Sequence, residues 1–102
     1  KAMVCINLLH ISPATCTEAL LQEACDRLPT NGLLIIYGPF CHNGCHTSAS
    51  NAAFDASLRQ RDPRWGLRDL DWIDALLTHH PMNLDGRHAM PANNTTLVLR
   101  RR

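Results

Sequence analysis

Two apolar runs dominate the front of this chain. Residues 3–9 (MVCINLL) and residues 33–37 (LLIIY) are almost unbroken by polar side chains. Short runs without polar alternation predict strands covered on both faces, the habit of parallel sheets. Between them Leu20, Leu21, Ala24, Cys25 and Leu28 recur at helical spacing. Ser12-Pro13 stops the first strand, and Thr15 with Glu18 has the T-x-x-E spacing of a capping box. Pro29 and Asn31-Gly32 end the helix, and Gly38-Pro39 ends the second strand. Strand, helix, strand with short connections is a βαβ unit, for which a right-handed crossover is expected.

The second half is more polar. Residues 40–50 read as a loop. Ser50 is placed to cap a helix running through Arg61, with Phe54 and Leu58 on one face and Pro63 beyond its end. After a turn at Gly66, Asp69 or Asp71 opens a third helix with Leu70, Ile73, Leu76 and Leu77 as its buried stripe. Residues 83–90 and 95–100 predict two strands, and Pro91-Ala92-Asn93-Asn94 is short enough to join them as an antiparallel hairpin. The expected fold is therefore α/β in the order β-α-β-α-α-β-β, a parallel pair followed by a terminal antiparallel hairpin.

Length and composition narrow the choices. A chain of 102 residues makes one small domain, and 45% hydrophobic with 19% charged residues is ordinary for a globular protein. Aromatics are 5%, so the core leans on aliphatic side chains; Trp65 and Trp72 are expected to cover it. A net charge of +1 leaves no electrostatic footprint for nucleic acid, and Arg100 to Arg102 read as a solvated tail. No apolar run is long enough to span a membrane, and no secretory leader is visible. Five cysteines, three of them inside apolar periodic segments, suit reduced thiols in the cytoplasm better than a disulfide framework. The chain opens at Lys1 almost directly on a buried strand, which suggests the later part of something longer.

The densest chemistry is Cys41-His42-Asn43-Gly44-Cys45-His46. Structural zinc favours two separated ligand pairs, and ligands crowded into six successive positions could hardly close a tetrahedron. C-x3-C also lacks the C-x-x-C spacing that lowers a thiol pKa. The segment is read as the lip of a pocket, with no metal.

The stretches CINLLHISP, GLLIIYGPF, HTSASNAAFDASLRQRDPRWGLRD and MPANNTTLVLR, in this order, resemble the methyltransferase-like 26 relatives. The likeness spans nearly the whole chain. That group is similar to class I S-adenosylmethionine-dependent methyltransferases, with a Rossmann-like sheet. The resemblance implies that these residues form the C-terminal half of such a sheet, one partial domain over residues 1–102. The half with the glycine-rich cofactor turn and the ribose-binding acid is absent, and no G-x-G motif occurs.

The resemblance also suggests a site. Ligands of doubly wound sheets sit at the carboxyl ends of the strands. There Asn7 and Leu8 would face the cofactor, and His10 would serve as a general base or tie the strand to Ser12. Tyr37, Pro39 and Phe40 would stand as an aromatic wall for a substrate or join the core. His46, Ser50, Asn51, Asp55 and Arg59 form a polar group, the last three sharing one helical face, as cleft residues or as an ordinary salt-bridged set. Asn93 and Asn94 would make the hairpin turn, or one of them would point into the cleft. S-adenosylmethionine is implied for the full-length family, with none expected to bind this chain alone.

Two functions follow: a methyltransferase half acting on an unknown small molecule, or a non-catalytic piece, either self-associating or a small binding module. Both leave the strand at residues 3–9 with an open apolar edge, so a homodimer through that edge is expected, with neither nucleic acid nor membrane as a partner.

Overall fold

The computed structural model describes all 102 residues. Strands β1 (Ala2–Ile6) and β2 (Leu33–Gly38) flank helix α1 (Ala14–Arg27), and they pair in parallel. A small hairpin, β3 (Cys41–His42) and β4 (Cys45–His46), leads to helices α2 (Ala49–Arg61) and α3 (Leu70–Leu77). Strands β5 (Met82–Met90) and β6 (Asn94–Arg101) close the chain as an antiparallel pair. The main sheet runs β1-β2-β6-β5. This is the expected α/β architecture, with the parallel pair and the terminal hairpin in one sheet.

Register explains the core. Met3, Leu34, Leu99 and Leu84 stand side by side across the sheet, and Cys5, Ile36 and Leu97 form the next row on that face. These rows meet Leu21, Ala24, Cys25 and Leu28 of α1 and its end, and Leu70, Ile73 and Leu77 of α3. Leu34 and Leu99 have no exposed surface at all. Trp72 packs partly buried on this cluster, and Trp65 on a smaller one formed by Cys41, Leu58 and Leu67.

The opposite face differs from expectation. Val4, Ile35 and Val98 form one of its rows, yet Val4 is 61% exposed and Ile6 60%. The buried residues of α1 and α3 all lie on the other side, so β1 is covered on one face only. Its outer edge pairs with nothing.

Three further boundaries depart from the sequence reading. Strand β1 stops at Ile6, because Asn7 adopts a left-handed backbone (φ 52°) and a 3-10 turn, Leu9–Ile11, follows. Asparagine tolerates that conformation, and the turn buries Leu9 and His10. Helix α1 begins after Pro13 with no side-chain cap, so Thr15 is already helical and makes no capping box. Helix α2 is capped by Ser48, whose Oγ accepts the Asn51 amide at 3.1 Å, rather than by Ser50.

Residues 41–46 are a tight hairpin rather than a loop. Asn43 and Gly44 both have positive φ, 54° and 73°, the combination that a two-residue turn between twisted strands requires. Cys41 pairs with His46 and His42 with Cys45. Successive strand residues face opposite ways, so Cys41 and Cys45 stand on different faces and cannot join as a disulfide. The four potential ligands are likewise divided between two sides. The hairpin is tethered by the Cys41 amide to the Arg68 carbonyl at 2.9 Å and by the Gly44 amide to Asp69 Oδ2 at 2.6 Å. Asp69 Oδ1 meanwhile accepts the Asp71 amide and caps α3.

Candidate functional site

A cleft of about 390 Å³ opens at the carboxyl ends of β1 and β2. Asn7, His10 and Pro39 come from the strand ends, Ser50, Asn51 and Phe54 from α2, and Ala92 and Asn94 from the β5–β6 connection. A larger groove of about 570 Å³ between α1 and the end of α3, lined by Glu18, Gln22 and His79 among others, lies away from the strand ends. The smaller cleft holds the converging polar groups, so the site is placed there.

Gly38, at the end of β2, lies beside two of the cleft residues. A Cβ on this residue would stand 3.6 Å from both Asn7 Oδ1 and His10 Nδ1, so these two side chains converge above it. The His10 ring meets Phe54 edge-on, with centroids 5.5 Å apart and planes at 62°. His10 is only 6% exposed, and no side chain hydrogen-bonds its ring. Burial, and then the Arg68 charge, lowers its pKa below the ordinary imidazole value. The ring is thus held neutral, with a nitrogen free to take a proton.

Backbone strain collects at the same place. Asn7, Ala92 and Asn93 are non-glycine residues in the left-handed region, at φ 52°, 60° and 59°. Such conformations persist only where the surroundings enforce them, and they gather at binding and catalytic sites. Here a hydrogen bond from Asn7 N to the Tyr37 carbonyl at 2.9 Å enforces one. At the connection, Asn51 Nδ2 donates to the Asn93 carbonyl at 3.2 Å and to Thr47 Oγ1 at 3.1 Å.

The remaining residues expected at the site sort clearly. Asn7, His10 and Asn51 line the cleft. Asn93 touches it through its backbone carbonyl, while its neighbours Ala92 and Asn94 supply the lining. Leu8 is half exposed beside the open β1 edge, and Tyr37 is half-buried on the sheet. Phe40 is 3% exposed inside the main core, so it forms no aromatic wall. His46, Asp55 and Arg59 do meet, but outside the cleft lining. Asp55 Oδ2 is 3.0 Å from His46 Nε2, Arg59 Nε donates to the carboxylate at 3.2 Å, and the Leu67 amide donates to Oδ1 at 2.8 Å. Burial alone would push the Asp55 carboxyl up; the Leu67 amide, His46 and Arg59 outweigh it and hold it below the usual range. This set pins α2 to the strap of residues 62–69.

Pro39, Ser50 and Asn94, also expected at the site, line the cleft, and Phe54 and Ala92 complete it beyond the expected set. Phe54 carried a signal: a large aromatic predicted for a buried helix face is 40% exposed. This apolar ring stands open in the cleft beside the buried histidine.

The fold is an α/β mixed sheet with helices, the arrangement that solved O-methyltransferase structures show over the matching region. Among solved structures, the chain is similar to an O-methyltransferase family 2 protein from Planctomyces limnophilus in complex with apigenin (TM-score 0.87, 14% identity, 99% of this chain and 30% of that one). It is also similar to an O-methyltransferase family protein from Burkholderia thailandensis (TM-score 0.81, 18% identity, 98% and 30%). A third is an O-methyltransferase from neocarzinostatin biosynthesis in complex with S-adenosylmethionine and 2-hydroxy-5-methyl naphthoic acid (TM-score 0.72, 11% identity, 96% and 27%). The chain thus spans about 30% of the length of the structures it matches, and at these identities the likeness is one of fold. Residues 1–101 match the family described as "Protein of unknown function (DUF938)", and the chain belongs to that family.

No helix is long and apolar enough to cross a membrane.

Proposed function

We propose that this chain is the C-terminal half of an S-adenosylmethionine-dependent methyltransferase of the methyltransferase-like 26 kind, and that the cleft holds its acceptor. The observation that carries this reading is His10, a buried, neutral imidazole with no side-chain partner at the carboxyl ends of the parallel strands. In this reading His10 takes the proton from an acceptor hydroxyl as that oxygen becomes a nucleophile, a step that general bases assist by about 10²–10⁴-fold. Asn7 and Asn94 supply amides to orient the acceptor, and Phe54 supplies an apolar wall. A cleft of about 390 Å³ suits a small molecule rather than a polymer. The five free cysteines support a reducing, cytoplasmic setting.

These residues do not by themselves fit the cofactor. The cleft lining holds no carboxylate for a ribose and no glycine-rich turn, and of Asn7 and Leu8 only Asn7 lines it. Calorimetry with S-adenosylmethionine is therefore expected to show no binding to residues 1–102 alone.

The test of the main reading uses the full-length protein, an extract of small metabolites and S-adenosylmethionine labelled at the methyl group. Wild type is expected to label a hydroxylated small molecule, and His10→Ala to do so at least a hundredfold more slowly. Equal labelling by the two proteins would refute the role of His10.

A second reading rests on a separate observation, the unpaired β1 edge with Ile6 60% and Leu8 50% exposed. Unpaired backbone groups beside apolar side chains are a template for another strand. In this reading the isolated chain forms a homodimer through β1.

A further inference from the structure

Arg68 is a charged side chain that neither the acceptor cleft nor the core accounts for. It is partly buried, its Nε is sealed from solvent with no hydrogen-bond partner, and it takes part in none of the ion pairs of the chain. Asp55, the acid whose field reaches it, is already engaged by His46 and Arg59. A guanidinium desolvated without a counter-ion is costly, and such a group calls for an explanation.

Its contacts supply one. Arg68 Nη2 donates to the Ser12 carbonyl at 3.1 Å and to the Arg64 carbonyl at 2.9 Å. Ser12 closes the 3-10 turn that carries His10, and its Oγ donates back to the carbonyls of Leu8 and Leu9 at 3.2 and 3.1 Å. Two residues before Arg68, the Gly66 amide donates to the His10 carbonyl itself at 3.0 Å. The strap between α2 and α3 therefore grips this turn at two carbonyls, those of His10 and Ser12.

We propose that Arg68 is a positioning residue for His10, fixing through the Ser12 carbonyl where the imidazole stands in the cleft. This rests on the reading of His10 as a general base. The charge of Arg68 acts in the same direction as its geometry, because a cation nearby disfavours protonation of the ring. Arg68 is the one charge whose field reaches His10; Asn7, Gly38 and Phe54 beside it, and Ser50, Asn51 and Asn94 elsewhere in the cleft from α2 and the hairpin, are uncharged.

The experiment is NMR titration of the histidine ring protons in wild type, Arg68→Lys and Arg68→Gln, with melting curves recorded alongside. In Arg68→Gln the His10 midpoint is expected to move up towards the free-imidazole value, and the Phe54–His10 ring contacts to weaken. Arg68→Lys keeps the charge but loses the fork, so it is expected to retain the low midpoint while the ring contacts still weaken. A folded Arg68→Gln protein with both signals unchanged would overturn the proposal. If Arg68→Gln fails to fold, the lysine variant decides: ring contacts as in wild type would overturn it. Neither readout involves methyl transfer, so the proposal can fail while His10 remains the base, and the reverse.

Discussion

Asn51, in the first turn of α2, donates its side-chain amide to the carbonyl of Asn93, 42 residues further along, at the tip of the β5–β6 connection. One buried amide thus ties two walls of the cleft together, and the same group also holds Thr47. Asn51→Ala removes both bonds, whose acceptors lie on exposed residues that water can reach, and is expected to cost about 0.5–1.5 kcal/mol in urea unfolding. Asn51→Asp is expected to cost at least as much, since an ionised carboxylate has no proton to give the Asn93 carbonyl. A loss below about 0.5 kcal/mol in both would show that the walls are held by something else.

Acid should unfold the protein in two stages. His10 has a folded pKa below the ordinary value, so the unfolded state binds a proton first, and stability falls as pH drops from about 6.5 through the lower folded value. Asp55 is also held low. Its contribution is complete above about pH 3.9 and is lost as pH falls through its folded value. Chemical unfolding at stepped pH is expected to show the first stage vanish in His10→Phe and the second shrink in Asp55→Asn, since Asp62 and Asp69 are held low as well. Asp55→Asn should also lose about 1–3 kcal/mol at neutral pH.

Gly66 lies at φ 147°, and an added Cβ would stand 2.6 Å from Arg59 Cζ and 2.8 Å from Asp55 Oδ1. Gly66→Ala is therefore strained in its backbone and crowds the Asp55 cluster. Thermal melts are expected to register about 1–3 kcal/mol of destabilisation; a neutral substitution would mean that the strap relaxes freely.

The exposed β1 edge makes a separate forecast. Sedimentation of the isolated chain is expected to give twice the mass of one copy, and Ile6→Lys to give a single copy, because a charge on an edge blocks strand addition. A wild-type chain that sediments as a monomer would remove the second functional reading and leave the first intact.

Much of the fold was legible because its strands and helices carry long apolar signals. The stripe Leu70, Ile73, Leu77 and the hairpin at Pro91 came out as read. The β3–β4 hairpin was not read, since strands of two residues have no alternation to detect; its sign was the Asn43-Gly44 dipeptide alone. The polar face of helix α2 reads from its spacing as a cleft wall or a salt-bridged set; Asn51 and Asp55 on it are buried, and Phe54 is exposed. Local periodicity weighs side chains by solubility, and the Leu67 amide that satisfies Asp55 lies 12 residues downstream. In the cleft, Asn7, His10 and Asn51 announced themselves by chemistry. Ala92 could not, because a methyl group gives no hint that its backbone is left-handed.

The one-sided sheet sets a practical limit. With Val4 and Ile6 turned to water and Ile35 and Val98 beside them, warmth and salt, which strengthen apolar association, should bring the isolated polypeptide out of solution before they unravel it. Handling conditions for these 102 residues will accordingly be dictated by a row of aliphatic side chains rather than by the resilience of the core.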